Sequence, residues 1–519
     1  MLNISEIELN QQFKRALDLL ENTDKNVFIT GKAGTGKSTL LEYFRSTTAK
    51  KIVVLAPTGV AALNVRGETI HSFFQFKPDV TVQTIKRLKQ KCSKIYKELD
   101  AIVIDEISMA RADLIDCVDY FLRLNGRHPE RSFGGIQMIF IGDLYQLPPV
   151  VTSKEKRIFR EHYESAYFFD ANVFKSLSVE FIELEKVYRQ KDASFIELLN
   201  KIRNNTVTEE DINRLNKKVG VQLDEGENNF VVYLTTLNEM AYRINNEYLD
   251  KLPGEMYRWI ADIQGEFDKS SFPTDCTLTV KPGAQIMMLN NDPMGRWVNG
   301  SIGRVLNVSC SRKEGYDKIA VYLQDGNRVY VEPFTWEIFH FYYNEKTGMI
   351  ESKITGTFTQ YPLKLAWAVT IHKSQGKTFD KMIIDVGRGT FAGGQLYVAL
   401  SRCTSFDGIS LAKPIKKGHI FVDRKIVKFL TNFQYKLSDK EISLEKKIET
   451  ISSAIARGSS VIIEYLKPTD EKSRRVIKPL EIGKFNFQNK KFLGVRAYCE
   501  MRKEERTFRI DRILKIERK

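Results

Sequence analysis

Gly31-Lys32-Ala33-Gly34-Thr35-Gly36-Lys37-Ser38 has the spacing of a phosphate-binding loop. Its glycines let backbone N–H groups turn inward around phosphate oxygens. Lys37 can reach the β- and γ-phosphates, and Ser38 can ligate Mg²⁺. The apolar run Asn26–Thr30 precedes the loop and a helical pattern from about Ser38 to Phe44 follows, the context such a loop needs. Gly31, Ala33, Gly34, Thr35, Gly36, Lys37, Ser38 and Thr39 are the candidate nucleotide contacts. Asp105-Glu106 closes another apolar run, Ala101–Ile104. There Asp105 can join Ser38 around Mg²⁺, and Glu106 can orient a water against the γ-phosphate. The run from Gln137 leads into Gly142–Val150, where Gln146 can sense the γ-phosphate and Pro148-Pro149 can couple it to a track. A plain Pro-rich loop is the alternative.

Farther along, Arg189 in Leu184–Gln190 and Arg402 in Gly394–Arg402 could cross a cleft and neutralise charge on a transferred phosphoryl group. Taken singly, each arginine is more often a surface or structural residue. Gln360–Gly376 is a strand running into a polar loop. Thr370, His372 and Lys373 offer hydroxyl, imidazole and ammonium groups to a nucleic-acid backbone, while Gln375 and Gly376 face nucleotide. Pro57-Thr58-Gly59 and His71-Ser72-Phe73 offer the same chemistry, with an aromatic ring for stacking on a base. One of Phe73 and Phe74 is expected in the core.

These groups need rigid elements to hold them. Short apolar runs at Asn26–Thr30, Lys51–Ala56, Ala101–Asp105 and Gln137–Asp143, separated by helices, predict a parallel sheet covered on both faces. Phe230–Leu234, Leu365–Val369 and Met382–Asp385 predict a second α/β domain. From Cys276 to about Thr355 the texture changes to short strands with Gly- and Asn-rich turns, the pattern of a small antiparallel barrel. A charged helical linker, Leu437–Lys447, leads into a basic tail.

The chain has 519 residues, too many for one hydrophobic core, and no apolar stretch of the roughly 18 residues that span a bilayer. Met1–Glu6 lacks the basic start of a secretory signal. Six scattered cysteines without metal-ligand spacing read as reduced thiols. A cytoplasmic protein without membrane partners is expected. The net charge is +15, and Thr431–Lys519 holds 22 Lys+Arg against 13 Asp+Glu, so +9 of it lies in the tail. An anionic partner such as nucleic acid and a merely basic surface both fit that balance.

In their order along the chain, GKAGTGKS, APTGVAA, GETIHSFF, IDEISM, GDLYQLPPV, VYRQ, TIHKSQGKT and GQLYVALSR resemble the motifs of superfamily-1 DNA helicases of the PIF (petite integration frequency) family, a RecD-like group. The resemblance covers roughly residues 5–430. Ile107–Leu114 is similar to the family's signature helix, and Val298–Gly303 to the start of its inserted barrel of Src-homology-three type. It implies an α/β fold with two RecA-like parallel-sheet domains, ATP and Mg²⁺ in the cleft, and single-stranded DNA across the top. Carried over residue by residue, it gives Lys37, Ser38, Asp105, Glu106, Gln146, Arg189, Gln375 and Arg402 to ATP. To DNA it gives Pro57, Thr58, Gly59, His71, Ser72, Phe73, Pro148, Thr370, His372 and Lys373. A wedge near 61–69 would separate strands. The glutamine that reads adenine in the family has two counterparts here, Gln11 and Gln12, of which Gln12 is the candidate contact.

From about Ile448 the tail resembles a WYL domain, a small barrel of bacterial regulators, through Ala454, Gly458, Ile463, Tyr465, Arg474, Pro479, Ala497, Tyr498, Arg506, Phe508, Arg509, Asp511, Arg512 and Ile513. The naming triplet is replaced by Phe492-Leu493-Gly494. The resemblance implies a nucleic-acid or small-anion ligand, with Arg474, Arg475, Arg506 and Arg509 supplying charge; a basic structural appendage is the alternative. The resulting layout is a RecA-like domain over 1–175, a second over 176–275 and 356–431, the barrel at 276–355, a linker at 432–447 and the WYL-like domain at 448–519. The expected activity is 5′-to-3′ translocation on single-stranded DNA by a monomer, with unwinding of tailed duplexes and of G-quadruplexes. The alternatives are a DNA-stimulated regulatory ATPase with little unwinding and a kinase or transporter-type ATPase. The last predicts no stimulation by DNA.

Overall fold

The computed structural model describes residues 9–77, 79–151, 159, 161–190, 192–224, 230–310, 315–387, 389–390, 392–487 and 490–519. Met1–Glu6, where a leader was sought, lie outside them. The chain forms two compact units, residues 1–199 with 207–420, and residues 200–206 with 421–519.

The first unit starts with a six-stranded parallel sheet of β1 (Asn26–Gly31), β2 (Ile52–Ala56), β3 (Glu68–Thr69), β4 (Ala101–Ile104), β5 (Gln137–Ile141) and β6 (Val179–Leu184), in the order β3-β2-β4-β5-β1-β6. Every residue of β4 and β5 is buried, which is why both read as unbroken apolar runs rather than alternating ones. β5 lies between β1 and β4, so three strand ends carry the phosphate loop, Asp105-Glu106 and Asp143–Gln146 side by side. The sequence boundary at 175/176 cuts this sheet. β6 pairs along its whole length with β1, from Asn26↔Val179 to Gly31↔Leu184.

A second parallel sheet follows, built from β7 (Val231–Thr235) and later strands. The antiparallel insertion begins earlier and ends later than its turn-rich texture suggested. β8 (Tyr257–Ile260) pairs with β10 (Thr277–Val280), and β9 (Asp262–Gly265) lies beyond the expected start at 276. β11 (Gln285–Met288), β12 (Ile302–Cys310), β13 (Asp317–Leu323) and β14 (Arg328–Val331) form a sheet closed at its other edge by β17 (Leu363–Leu365). Its core holds Leu278, Ile286, Met288, Val305, Val321 and Leu363. β15 (Phe334–Asn344) and β16 (Met349–Gln360) make a long hairpin, with β9 on its outer edge.

The expected strand Leu365–Val369 is two strands. β17 (Leu363–Leu365) ends the barrel sheet, and β18 (Ala368–Thr370) joins β7, β19 (Lys381–Asp385) and β20 (Ile409–Leu411) in the order β18-β7-β19-β20. The switch falls between neighbouring residues. Ala366 N–H donates to Gln285 O at 2.9 Å, whereas Trp367 O accepts from Tyr233 N–H at 2.7 Å. An apolar run serves either sheet equally, so periodicity could not divide it.

The second unit holds the helices Arg424–Glu441 and Leu444–Arg457 and an antiparallel sheet of β21 (Val461–Leu466), β22 (Lys472–Phe487), β23 (Lys490–Cys499), β24 (Glu504–Arg509) and β25 (Ile513–Arg518), in the order β24-β23-β22-β21-β25. The expected linker is thus two helices, broken at Ile442-Ser443, where the Ser443 hydroxyl caps the second by accepting from Lys446 N–H at 3.3 Å. Lys447 is fully buried, and its ammonium donates to Ser438 Oγ at 2.8 Å and Asp439 Oδ1 at 2.9 Å. Arg203 and Asp470, both buried, face each other at 3.9 Å within the same unit.

The β15–β16 hairpin meets the first domain through Phe341 against Phe73, Tyr343 under Lys51 and Lys94, and one buried carboxylate. Glu68, 1% exposed at the start of β3, accepts from Phe341 N–H at 3.2 Å and Ser72 Oγ at 2.6 Å, and faces His340 Nδ1 at 3.2 Å. A buried carboxylate without partners would cost several kcal/mol, so these three contacts fix where the hairpin can sit. The Glu68 hydrogen bond holds the His340 pKa above its usual value, against the opposing effect of burial. A raised histidine pKa contributes stability below the unfolded value, near 6.5, that is lost as pH rises through the folded value. In a Glu68→Gln/His340→Gln double-mutant cycle, the coupling should be on the order of 1 kcal/mol at about pH 6 and smaller at about pH 8. Coupling that grew with pH would contradict the docking contact.

Candidate functional site

The phosphate loop leaves β1 and enters the helix Lys37–Thr47 through Gly34 and Gly36, both at positive φ. A Cβ on Gly34 would lie 2.6 Å from Arg189 Cβ, so only glycine lets the two segments approach this closely. Lys37 Nζ folds back onto Gly31 O at 2.8 Å and Lys32 O at 3.1 Å, and Thr35 Oγ1 donates to Lys32 O at 2.9 Å. Ser38 is exposed on the first turn of the helix, with Thr39 next to it half-buried.

Asp105 and Glu106 end β4 in a dry setting. Burial, then the neighbouring Glu106 charge, pushes the Asp105 pKa up to about 7. Burial also raises Glu106, opposed first by Lys37 and, less strongly, by Arg402. Glu106 adopts φ 49, ψ 40, a left-handed conformation costing about 1–3 kcal/mol for a non-glycine residue. That cost aims its side chain where an ordinary strand end would not. Asp143, fully buried, accepts from Tyr145 N–H at 3.1 Å and from Gln146 Nε2 at 3.2 Å, which orients the Gln146 amide.

Groups from the second sheet meet this edge. Gln375 Nε2 donates to Gln146 Oε1 at 3.4 Å. Ala33 N–H, a loop amide, donates to Tyr397 OH at 3.0 Å. A Cβ on Gly394, at φ 76, would lie 2.1 Å from Tyr145 O. Arg402 is 1% exposed. Its Nε donates to Val398 O and its Nη2 to Ser401 Oγ, both at 3.0 Å. Burial, then Arg189, lowers its pKa to about 9, with Glu106 and Asp143 among the charges opposing that fall, so it stays cationic at neutral pH. Arg189 Nη1 reaches Ser401 O at 3.4 Å, and Gln190 Nε2 donates to Ser401 O at 3.0 Å and Cys403 O at 3.1 Å. The two arginines therefore converge on one short segment after the helix Gln395–Leu400.

Sequence reasoning overlooked Tyr397 and Gln190, although both lie inside quoted motifs. A phenol or amide in an apolar helix or strand end gives no signal without its partner. Gln12 is occupied at both ends of its amide, donating to Glu185 Oε2 at 3.2 Å and accepting from Glu185 N–H at 3.0 Å. Gln11 is exposed. In the same corner, Phe13 backs Gly36, and half-exposed Tyr188 receives Asn10 Nδ2 at 3.3 Å.

The nucleic-acid candidates fall into two groups. Thr58 caps the helix Gly59–Asn64, and exposed Ser72 is held by Glu68. Gly59 lies so close to the insertion that a Cβ would meet Ser271 Oγ. Pro57 and His71 are half-buried beside them, as is Pro148 at the end of the neighbouring loop. Thr370 lies at the end of β18, where its Oγ1 accepts from Lys373 N–H at 3.3 Å. His372 is half-buried and Lys373 exposed, with Gly376 exposed beyond them. Burial lowers the His71 and His372 pKa values, so both are neutral at pH 7. Phe73 is a correction. It and Phe74 are both fully buried, 4.9 Å apart edge to face, and Tyr96 OH donates to Phe73 O at 2.8 Å. Phe73 is core and cannot stack on a base.

In the second unit, the arginines expected to supply charge are already engaged. Arg474 pairs with Glu517 at 3.4 Å, Arg506 with Glu504 and Arg509 with Asp511, each at 2.5 Å. Arg475 is 7% exposed, against Ser473 Oγ and the Phe508 ring.

Ser38 and Asp105 suit a divalent cation. The buried Asp105 carboxylate and half-buried Glu106 beside it carry charge that such an ion would neutralise. Among the described residues no three His, Cys, Asp or Glu side chains form a metal cluster, so an ion here would draw its other ligands from phosphate and water.

A family model described as PIF1-like helicase matches residues 8–213, and one described as WYL domain matches residues 446–518. The ATP-dependent DNA helicase Pif1 of Bdellovibrio bacteriovorus is 32% identical over 446 residues, covering 84% of this chain and 94% of its own length. Pif1 from Bacteroides sp in complex with ADP-AlF4 is 35% identical with a TM-score of 0.75, covering 83% of this chain and 98% of that one. Bacteroides Pif1 bound to ssDNA gives a TM-score of 0.59 at 36% identity, covering 82% of this chain and 96% of that one.

Two outcomes are expected. Metal binding needs the Asp105 carboxylate, so Mg²⁺-nucleotide affinity should fall about tenfold per pH unit below about pH 7 and level off above it. Calorimetry with a non-hydrolysable analogue checks this. A profile flat in the parent would sink it, and Asp105→Asn should be flat. Tyr397→Phe frees the Ala33 amide for phosphate and should tighten nucleotide binding up to about tenfold, one hydrogen bond's worth. Weaker binding would show that Tyr397 OH supports the loop instead of competing for it.

Proposed function

The chain belongs to the PIF1-like helicase family and is an ATP-dependent DNA helicase, and from that premise we propose that it moves 5′ to 3′ along single-stranded DNA and opens tailed duplexes. The reading is carried by the second α/β domain meeting the nucleotide edge: Tyr397 on the phosphate-loop amide of Ala33, Gln375 on Gln146, and the buried Arg402 whose charge acts on Glu106. A site shared by two domains converts nucleotide binding into closure, and closure into a step along a track.

ATP would enter with its phosphates on the loop amides, displacing Tyr397 OH from Ala33 and drawing Lys37 Nζ off Gly31 O and Lys32 O. Ser38 and Asp105 would hold Mg²⁺, whose role when bound is to neutralise and orient the phosphates. Glu106, strained and dry, would accept a proton from a water attacking the γ-phosphorus as the bond to the bridging oxygen breaks. Gln146 and Gln375, in contact across the cleft, would sense the γ-phosphate. Arg189 and Arg402 would neutralise the charge on the transferred phosphoryl group. A cation buried in advance needs no solvent reorganisation at that moment.

Thr58, Ser72, Thr370 and Lys373 would take the DNA backbone. The engaged Arg474, Arg506 and Arg509 favour a structural or small-ligand role for the WYL domain over a second nucleic-acid site. A monomer is the simplest form consistent with a site complete in one chain, and the cytoplasm is the compartment proposed for it. ATP hydrolysis measured with and without single-stranded DNA should rise with DNA, and 5′-tailed duplexes should be unwound in preference to 3′-tailed ones. Lys37→Ala should lose turnover while keeping most DNA binding. No stimulation by DNA would overturn the helicase reading, and preference for a 3′ tail would overturn the polarity.

A further inference from the structure

Two lysines outside the quoted contacts point into one groove. Lys364 lies on β17, and Lys377 follows the polar loop after β18. The groove, of about 790 Å³, runs between the segment Val60–Arg66, the hairpin start Phe334–Phe339 and the β18 loop. Its charged lining is Arg66, Lys269, Lys364, Lys373 and Lys377 against Asp275 and Glu337, five cations to two carboxylates. Among the described residues, none of Lys364, Lys373 and Lys377 forms an ion pair. Lys377 Nζ instead donates to Asn299 Oδ1, and Asn299 Nδ2 donates to Asn64 Oδ1 at 3.2 Å. The backbone of Lys377 points the other way: its carbonyl accepts from Arg402 Nη1 at 3.5 Å. One residue thus faces the groove with its ammonium and the nucleotide cleft with its carbonyl.

Five cations against two carboxylates in a partly dry groove leave an excess of positive charge, which a polyanion relieves. The half-open aromatic rings of Phe334 and Phe339 on the same wall suit the bases of an unpaired strand better than a rigid duplex or a folded acidic protein. We propose that Lys364 and Lys377 form a second phosphate grip on the translocated single strand, and that Lys377 relays occupancy of the grip to Arg402 through its own carbonyl. This rests on the ATP-driven helicase reading and adds to it. Lys377 acts as a positioning residue for the arginine.

The electrostatics give the grip a signature. Burial, then Lys364, lowers the Lys377 pKa to about 7. Burial, then Lys373, lowers Lys364 to about 8, opposed by Asp275. A bound phosphate restores both, so DNA binding takes up protons at slightly alkaline pH and weakens as pH rises through that range.

The test measures binding of an oligothymidylate to the full chain against salt and pH, with proton uptake from calorimetry in buffers of different ionisation enthalpy. Lys364→Met and Lys377→Met keep the apolar stems. Each should lower the salt slope by about one and weaken binding roughly five- to tenfold. The double variant should lose the proton uptake. Lys377→Met should also lower the DNA-saturated kcat several-fold, whereas Lys364→Met should be rescued by saturating DNA. Lys377→Arg should restore slope and kcat. An unchanged slope and proton uptake in the double variant would overturn the grip, as would an arginine as damaging as methionine. If the parent chain itself bound no single strand, the helicase reading would fail instead.

Discussion

Two carboxylates, Asp105 and Glu106, sit next to each other at the dry end of a fully buried strand, and they repel. Burial pushes both toward the neutral form, with the Glu106 charge adding to it at Asp105 and the Asp143 charge at Glu106. Cations must be brought to them, and the fold supplies Lys37 from the phosphate loop and the buried Arg402 from the second sheet. Two unlike surfaces are thus tied to one electrostatic problem. A metal-bound nucleotide would solve it more completely than the side chains do, and this is the physical reason closure and nucleotide binding are coupled.

The rest of the cleft follows from that arrangement. Gly34 and Gly394 have no side chains because Arg189 and Tyr145 stand where a Cβ would be. Tyr397 OH accepts from the Ala33 amide and Gly31 O from the Lys37 ammonium, where phosphate oxygens would otherwise accept. Glu106 keeps a left-handed backbone at the end of β4. On the outer side, Glu68 does comparable work for the insertion, gathering the hairpin, Ser72 and His340 on one buried carboxylate.

The nucleotide edge was legible because its groups lie at strand ends with fixed local spacing. Gly31–Ser38, Asp105-Glu106 and Gln146 each follow an apolar run, and β1, β4 and β5 form where those runs predict. What was not legible depends on pairing at a distance. β6 looks like any strand until its register with β1 is known, and Leu365–Val369 belongs to two sheets because hydrogen bonds divide it at Ala366-Trp367. Phe73 has the composition of a stacking residue and the environment of a core residue. The arginines of the second unit add to the net charge, yet Glu504, Asp511 and Glu517 answer three of them locally. Charge counted along the chain says nothing of its nearest neighbour in space.

In this arrangement the second domain completes the chemistry of a nucleotide held mainly by the first. Single-turnover cleavage of the γ-phosphate in Arg402→Ala, measured beside the nucleotide dissociation constant, addresses it directly. The arrangement requires cleavage to fall by a factor on the order of 10³ or more while nucleotide affinity stays within about tenfold of the parent. Loss of affinity with the cleavage rate preserved would contradict it, because Arg402 would then serve binding and the first domain would carry the chemistry alone.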